Sequence, residues 1–203
     1  MPTIYLIRHG RAAAGWGESV DPGLDGTGKK QAAGILKTLG EMQPMPIVSS
    51  PMARARETAE PLAKTWNCIP VIDSRFTETA EPLAKTWNCI PVIDSRFTEI
   101  PTPANIPSSR KAWIKAVLSK NWDELSGELQ AWRENLILAA CSLPVDTVVF
   151  THFIAINALV GKAVRDNNVL VFLPDNTSIT SLTVNGTSLM LLGKGRDAAV
   201  TVG

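Results

Sequence analysis

The chain has 203 residues, 45% of them hydrophobic and 19% charged, with a formal net charge of +1 at pH 7. That composition excludes a disordered polymer and is enough to bury a core in one domain spanning 1–203. The near-neutral balance gives no general attraction for nucleic acid or an anionic membrane, no apolar run is long enough to span a bilayer, and any anion recognition has to be local.

Thr3-Ile4-Tyr5-Leu6-Ile7 is an almost unbroken apolar run that stops abruptly at Arg8-His9-Gly10. Apolar residues without polar alternation predict a strand buried on both faces, as in the parallel sheets of α/β proteins. Ligands bind beyond the carboxyl ends of such strands, so Arg8 and His9 are expected at the mouth of a cleft. Gly10 there lets the backbone turn away or approach a ligand closely. The strand begins within three residues of Met1, which leaves no room for a secretory leader. The three cysteines, Cys68, Cys89 and Cys141, lie at no metal-ligand spacing. Both features predict a cytoplasmic protein.

Arg11 to Asp25, rich in Gly, Ala and polar residues, reads as a loop bordering the cleft. Gln31, Ala32, Ile35, Leu36 and Leu39 then fall on one helix face, with Gly40 as terminator. Met45 to Ser49 reads as a second strand. Ser50 as N-cap and Pro51 as first helical residue place Arg54 in the opening turn of a helix. Free N–H groups and the dipole attract anions there, and a guanidinium sharpens this into a phosphate or carboxylate clamp. Arg56 reads as solvated.

Glu57 to Thr77 recurs without a single change as Glu78 to Thr98. Each copy holds a helix end (ETAEPLAKTW), a turn at Asn-Cys and a strand (IPVID). Solenoid repeats come in several diverged copies, so this reads as a recent duplication, an engineered one or a sequencing error. Removing one 21-residue copy leaves 182 of the 203 residues, the parental fold. The surplus is expected either to loop out or to add a helix-strand unit at a sheet edge, where an unmatched strand offers a route to a homodimer.

Glu99 to Pro103 is a stiff extended segment. Ser109 to about Lys120 and Asn121 to Ala140 show amphipathic helical spacing, the second opened by an Asn121/Glu124 capping box. They are expected to form a helical lid or side wall between the third and fourth core strands, or simply to pack their tryptophans into the core. Val145 to Thr151 is a strand that delivers His152, the second of only two histidines, in a position matching that of His9. A helix from Ile154 to Val164 follows, then a strand over Val169 to Leu173. Ser178 to Val184 and Thr187 to Leu192, joined by Asn185-Gly186, predict a hairpin, and the tail after Gly193 is expected to fray.

In this order the landmarks resemble the histidine phosphatase superfamily, also called phosphoglycerate mutase-like. The matching residues are Leu6-Ile7-Arg8-His9-Gly10, Leu24 with Gly28 and Gln31-Ala32, Ser50-Pro51-Met52-Ala53-Arg54-Ala55 with Thr58, and Thr151-His152. The expected fold is a three-layer α/β/α sandwich with a mostly parallel sheet and a C-terminal hairpin. The resemblance implies a phosphoryl-transfer enzyme in which His9 is the nucleophile, Arg8, Arg54 and His152 hold the phosphoryl group, and a glutamate after the third strand donates a proton. Glu78 and Glu99 both follow Asp-Ser-Arg-Phe-Thr. Glu99 is the favoured donor, because the parental sequence continues after it.

The residue types suit this chemistry on their own. A neutral imidazole nitrogen can attack phosphorus and split hydrolysis into two steps. Neighbouring arginines disfavour its protonated form. Two guanidiniums and a second histidine stabilise charge on the equatorial oxygens. No metal or cofactor is required, and a rival metal site on His9 and His152 lacks spaced ligands and has the cation of Arg8 beside it. Arg11, where many relatives carry a small or acidic residue, and Phe153, where glycine is usual, depart from the pattern. Phe153 is expected to narrow the pocket, to line it for an apolar leaving group, or to belong to the core. Nothing resembles the extended substrate loops of the mutases, which favours a phosphatase over a phosphoglycerate mutase-like phosphotransferase. A phospho-ligand binding module, silenced by a misplaced acid, is the reading from a different class. The expected partner is a small phosphorylated substrate or a phosphoprotein.

Overall fold

The computed structural model describes residues 1–67, 71–72, 92–106 and 109–199. The apolar runs become strands: β1 (Thr3–Arg8), β2 (Ile47–Ser49), β3 (Val71–Ile72), β4 (Val92–Ile93), β5 (Thr147–Thr151), β6 (Ile179–Asn185) and β7 (Ser188–Gly193). They form one sheet in the order β3-β4-β2-β5-β1-β6-β7. The first five in that order are mutually parallel; β6 runs antiparallel to β1, and β7 antiparallel to β6. The hairpin of β6 and β7 is present, but its loop is Gly186-Thr187, with Gly186 at φ +59° and Asn185 paired with Ser188, one residue beyond the expected Asn185-Gly186.

Alternate side chains of the central strands feed two separate cores, which is why their sequences show no polar face. Ile4, Leu6, Val48 and Val149 pack against α4 (Arg110–Leu118), α5 (Gly127–Cys141) and α6 (Phe153–Val164). Ile7, Ile47, Val148 and Phe150 pack against Ile35, α2 (Leu36–Leu39) and α3 (Ala53–Thr65), with α1 (Gly26–Gly34) laid against α3. The result is the expected three-layer α/β/α sandwich. Among the described residues no helix is long and apolar enough to cross a membrane.

The two copies of the repeat divide the work. The first supplies the greater part of α3, while the second supplies β4, which pairs with β2. The first copy's β3 pairs outside β4, identical residues in register (Val71 with Val92, Ile72 with Ile93), and so forms the sheet edge. This is the strand half of the looked-for helix-strand unit at the sheet edge; residues 73–91 between the two strands lie outside the described residues. Glu78, Cys68 and Cys89 lie outside the described residues.

Four expectations need correction. Ser50 does not cap α3: the helix opens at Ala53 behind Met52, and the Asp21 carboxylate accepts from Ala53 N (3.0 and 3.1 Å), so the cap comes from the preceding loop. The predicted helix from Asn121 divides into a short 3₁₀ turn at Trp122–Glu124, which takes the capping box, and α5. Val169 to Leu173 is not a strand, because its N–H groups are taken elsewhere: Val169 donates to Lys120 O, and Val171 and Phe172 donate to Asn157 Oδ1 on α6 at 2.8 and 2.9 Å. The tail does not fray at Gly193. Gly195 N donates to Thr180 Oγ1, and Ala198 N and Arg196 O bond residues 173 and 175.

Candidate active site

The carboxyl ends of β1 and β5 lie side by side, with Arg8 opposite Thr151, so His9 and His152 leave the sheet together. Their rings stand 5.2 Å apart at 60°. His152 is the N-cap residue of α6, and Arg54 lies on the first turn of α3. Arg8, His9 and Arg54 line a cavity of about 450 Å³ whose rim is the Arg11 to Pro22 loop.

The loop after β1 is built from backbone contacts that leave little freedom. Gly10 N donates to Thr58 Oγ1 (3.0 Å), Arg11 N to Gln31 Oε1 (2.8 Å), and Asn176 Nδ2 to His9 O (2.8 Å). A Cβ on Gly10 would stand 2.7 Å from Gly28 O, and one on Gly28 would meet Arg11 O. This is the physical use of Gly28, Gln31 and Thr58. The Arg11 guanidinium is drawn to Asp25 and Thr27.

His9 is buried, and its hydrogen bonds define its tautomer. Nδ1 faces the Gly10 carbonyl at 2.7 Å, and a carbonyl only accepts, so Nδ1 carries the hydrogen. Nε2 accepts from Arg54 Nε at 3.2 Å. Burial first, and the Arg54 charge second, push this imidazole from 6.5 down to about 3. A bare Nε2 therefore persists throughout the neutral range. His152 is likewise held neutral, chiefly by burial and then by His9, Arg54 and Arg8. Its Nε2 lies 2.8 Å from Ser50 Oγ.

Arg8 donates from Nη1 to Pro174 O (2.7 Å), while its buried Nε has no partner among the described residues. Its guanidinium carbon lies 5.1 Å from the centre of the Phe153 ring. Phe153 is buried at the start of α6, and Trp16, a cavity-lining residue, packs edge-on against it at 6.3 Å. The departure from glycine thus serves as a floor under Arg8. Burial lowers the affinity of both Arg8 and Arg54 for their protons, and Glu99 is the leading influence opposing it.

Glu99 is 5% exposed and sits under the amino end of α6. Its Oε1 accepts from Ile100 N and Ile154 N, both at 3.1 Å, while among the described residues Oε2 has only a longer share of Ile154 N at 3.3 Å. Burial raises its pKa against the opposing pull of those N–H groups, Arg54 and Arg8. Oε2 is consequently the place for a proton. Of the five sequence-predicted side chains, Arg8, His9 and Arg54 line the cavity, His152 stands against His9, and Glu99 is buried within electrostatic reach of Arg54 and Arg8.

Sequence reasoning missed several neighbours. Asp21 caps α3 and lies 3.8 Å from Arg54 Nη1. Asn176 comes from the loop before β6, a position legible once an antiparallel hairpin is set beside β1. Arg110 and Lys111, at the start of α4, line the outer wall of the cavity. The lid expectation therefore holds for this end of α4 alone, since α5 packs in the helical layer, with Trp122 stacked on Trp132. Among the described residues no group of three or more His, Cys, Asp or Glu is gathered to hold a metal ion.

The model of the histidine phosphatase superfamily (branch 1) matches residues 4–194. No curated protein matches the chain. Matching solved structures include YhfR of Bacillus stearothermophilus, at 17% identity and TM-score 0.68 with 98% of each chain covered. A mycobacterial glucosyl-3-phosphoglycerate phosphatase solved with VO3 matches at 21% identity and TM-score 0.63, over 98% of this chain and 100% of that one. The phosphoserine phosphatase of Entamoeba histolytica, solved with 3-phosphoglyceric acid, matches at 17% identity and TM-score 0.65, with 98% of each chain covered. At these identities the likeness is one of fold.

Proposed function

Since the chain belongs to the histidine phosphatase superfamily, branch 1, we propose that it is a metal-independent phosphomonoesterase working through a phosphohistidine on His9. The observation that carries this reading is the His9 tautomer: Nδ1 is tied to the Gly10 carbonyl, leaving Nε2 unprotonated beside the Arg54 guanidinium and within the field of Arg8. Nε2 attacks phosphorus while the bond to the leaving oxygen breaks, and the Glu99 proton passes to that oxygen. Glu99, then ionised, takes a proton from water, whose oxygen attacks the phosphohistidine and releases phosphate and free His9. Arg8, Arg54 and His152 bind the equatorial oxygens, where charge is largest in phosphoryl transfer.

The substrate in this reading is a small phosphorylated acid. A cavity of about 450 Å³ suits a small molecule better than a folded phosphoprotein. Arg110 and Lys111 add cations on the wall beyond the phosphoryl clamp, where the leaving group would lie. A second anionic group on the substrate matches them, and the names of two structural relatives, a phosphoserine and a glucosyl-3-phosphoglycerate phosphatase, fit such chemistry. The test is phosphate release from an aryl phosphate with chelator present, followed by a panel of alkyl phosphates with and without a carboxylate. Turnover that chelation spares and His9→Ala abolishes is expected, with carboxylate esters preferred and Arg110→Ala erasing the preference. Undiminished turnover in His9→Ala overturns the mechanism.

A further inference from the structure

The structure assigns Ser50 as a positioning residue: its hydroxyl fixes His152 in the tautomer with hydrogen on Nδ1, so that this ring offers an N–H donor to the phosphoryl group. The assignment rests on reading His152 as a phosphoryl ligand.

Ser50 is fully buried, and its Oγ lies 2.8 Å from His152 Nε2. A hydroxyl has one hydrogen to give and two lone pairs with which to accept. Met52 N donates to Oγ at 3.3 Å, which occupies a lone pair. The neighbouring Ser49 hydroxyl goes to the Ser50 carbonyl and does not compete for Oγ. Among the described residues, His152 Nε2 is then the acceptor available to the Ser50 hydrogen. In the reverse arrangement Nε2–H would donate to Oγ, and the Ser50 hydrogen would be buried without an acceptor, at the cost of an unmade hydrogen bond.

A neutral imidazole carries a single ring hydrogen, so a bare Nε2 puts it on Nδ1. That atom is buried and has no partner among the described residues. An orphaned donor beside His9, Arg54 and Arg8 is complemented by an anionic oxygen. The opposite tautomer would turn a lone pair toward the same oxygen and convert an attraction into a repulsion.

The chain has only two histidines, which makes the tautomer directly readable. In protein labelled with ¹⁵N in its histidine rings, pyrrole-type and pyridine-type nitrogens resonate in separate ranges. The resting wild-type enzyme is expected to show His152 with a pyrrole-type Nδ1 and a pyridine-type Nε2, and vanadate is expected to shift the Nδ1 signal. In Ser50→Ala the His152 nitrogens should move toward a tautomer mixture while those of His9 stay put. kcat should fall roughly tenfold to a hundredfold, with KM for an aryl phosphate little changed. A wild-type His152 protonated at Nε2 overturns the proposal. So does a Ser50→Ala enzyme whose His152 signals and kcat match the wild type. Should Ser50→Ala fail to fold, the wild-type spectrum alone decides. The tautomer is read without turnover, whereas the phosphatase reading stands or falls on His9→Ala, so the two failures are distinguishable.

Discussion

Replacing Glu99 by Gln removes one proton and almost nothing else. The amide oxygen can still accept from Ile100 N and Ile154 N, and the amide nitrogen takes the place of Oε2, whose hydrogen bond among the described residues is the longer one from Ile154 N. If Glu99 is neutral in the resting enzyme, the variant also leaves the charge around Arg8 and Arg54 unchanged. General acid catalysis contributes roughly 100- to 10,000-fold, which corresponds to about 3–5 kcal/mol of barrier. The whole of that loss should fall on an alkyl phosphate, whose alkoxide needs the proton. An aryl phosphate, whose leaving group departs as a stable phenolate, should lose less than about tenfold. The assay is kcat on both esters against pH. Wild-type activity on the alkyl ester should fall as pH rises through the elevated Glu99 pKa, and this alkaline limb should vanish in Glu99→Gln. Equal losses on the two esters would refute the reasoning, since Glu99 would then serve phosphoryl binding or folding. A harmless Glu99→Gln beside a damaging Glu78→Gln would give the acid role to the other copy of the repeat.

Stability should follow the buried histidines. Because the folded pKa of His9 lies below its unfolded value, its contribution is intact above pH 6.5 and is lost as pH falls toward about 3, on the order of 5 kcal/mol over that span. His152 acts in the same direction and Glu99 in the opposite one. Urea midpoints measured between pH 7 and 4 should therefore decline less steeply in His9→Gln, and parallel slopes would contradict the assigned burial. Gly10→Ala should cost about 1–3 kcal/mol, since the new methyl meets a backbone carbonyl that cannot swing away; an unchanged urea midpoint would refute the close packing of Gly10 on α1. Deleting one copy of the repeat joins α3 to the strand beside β2 and keeps the segment ending in Glu99. The 182-residue chain should fold and retain kcat within about threefold, and loss of activity with the fold intact would show that the β3 edge supports the site.

Much of the fold was legible because both sheet faces are covered, which turns the central strands into uninterrupted apolar runs and leaves His9 and His152 at their ends. Arg54 was legible as an anion ligand for a reason that needed amending. The capping group of α3 is Asp21, thirty-odd residues upstream, and Ser50 is spent on His152 instead. A propensity argument sees a serine before a helix; it does not see a tertiary partner competing for the hydroxyl. Val169 to Leu173 misled in a similar way. Its apolar residues suggest a strand, but a side-chain amide from α6 takes the N–H groups a sheet would need. The repeat shows the limit most sharply, because two identical segments carry identical propensities. Only tertiary packing assigns one of them to the helix position and the other to β4 and the short turn that leads on to Glu99.

The most direct measurement is to quench the enzyme during turnover of an aryl phosphate at alkaline pH, where phosphohistidine survives, and to locate any phosphoryl group by mass spectrometry. A single acid-labile phosphoryl group on His9, formed within one turnover and absent from His9→Ala, is the predicted result. Steady turnover with no adduct, or an adduct on another side chain, would contradict it.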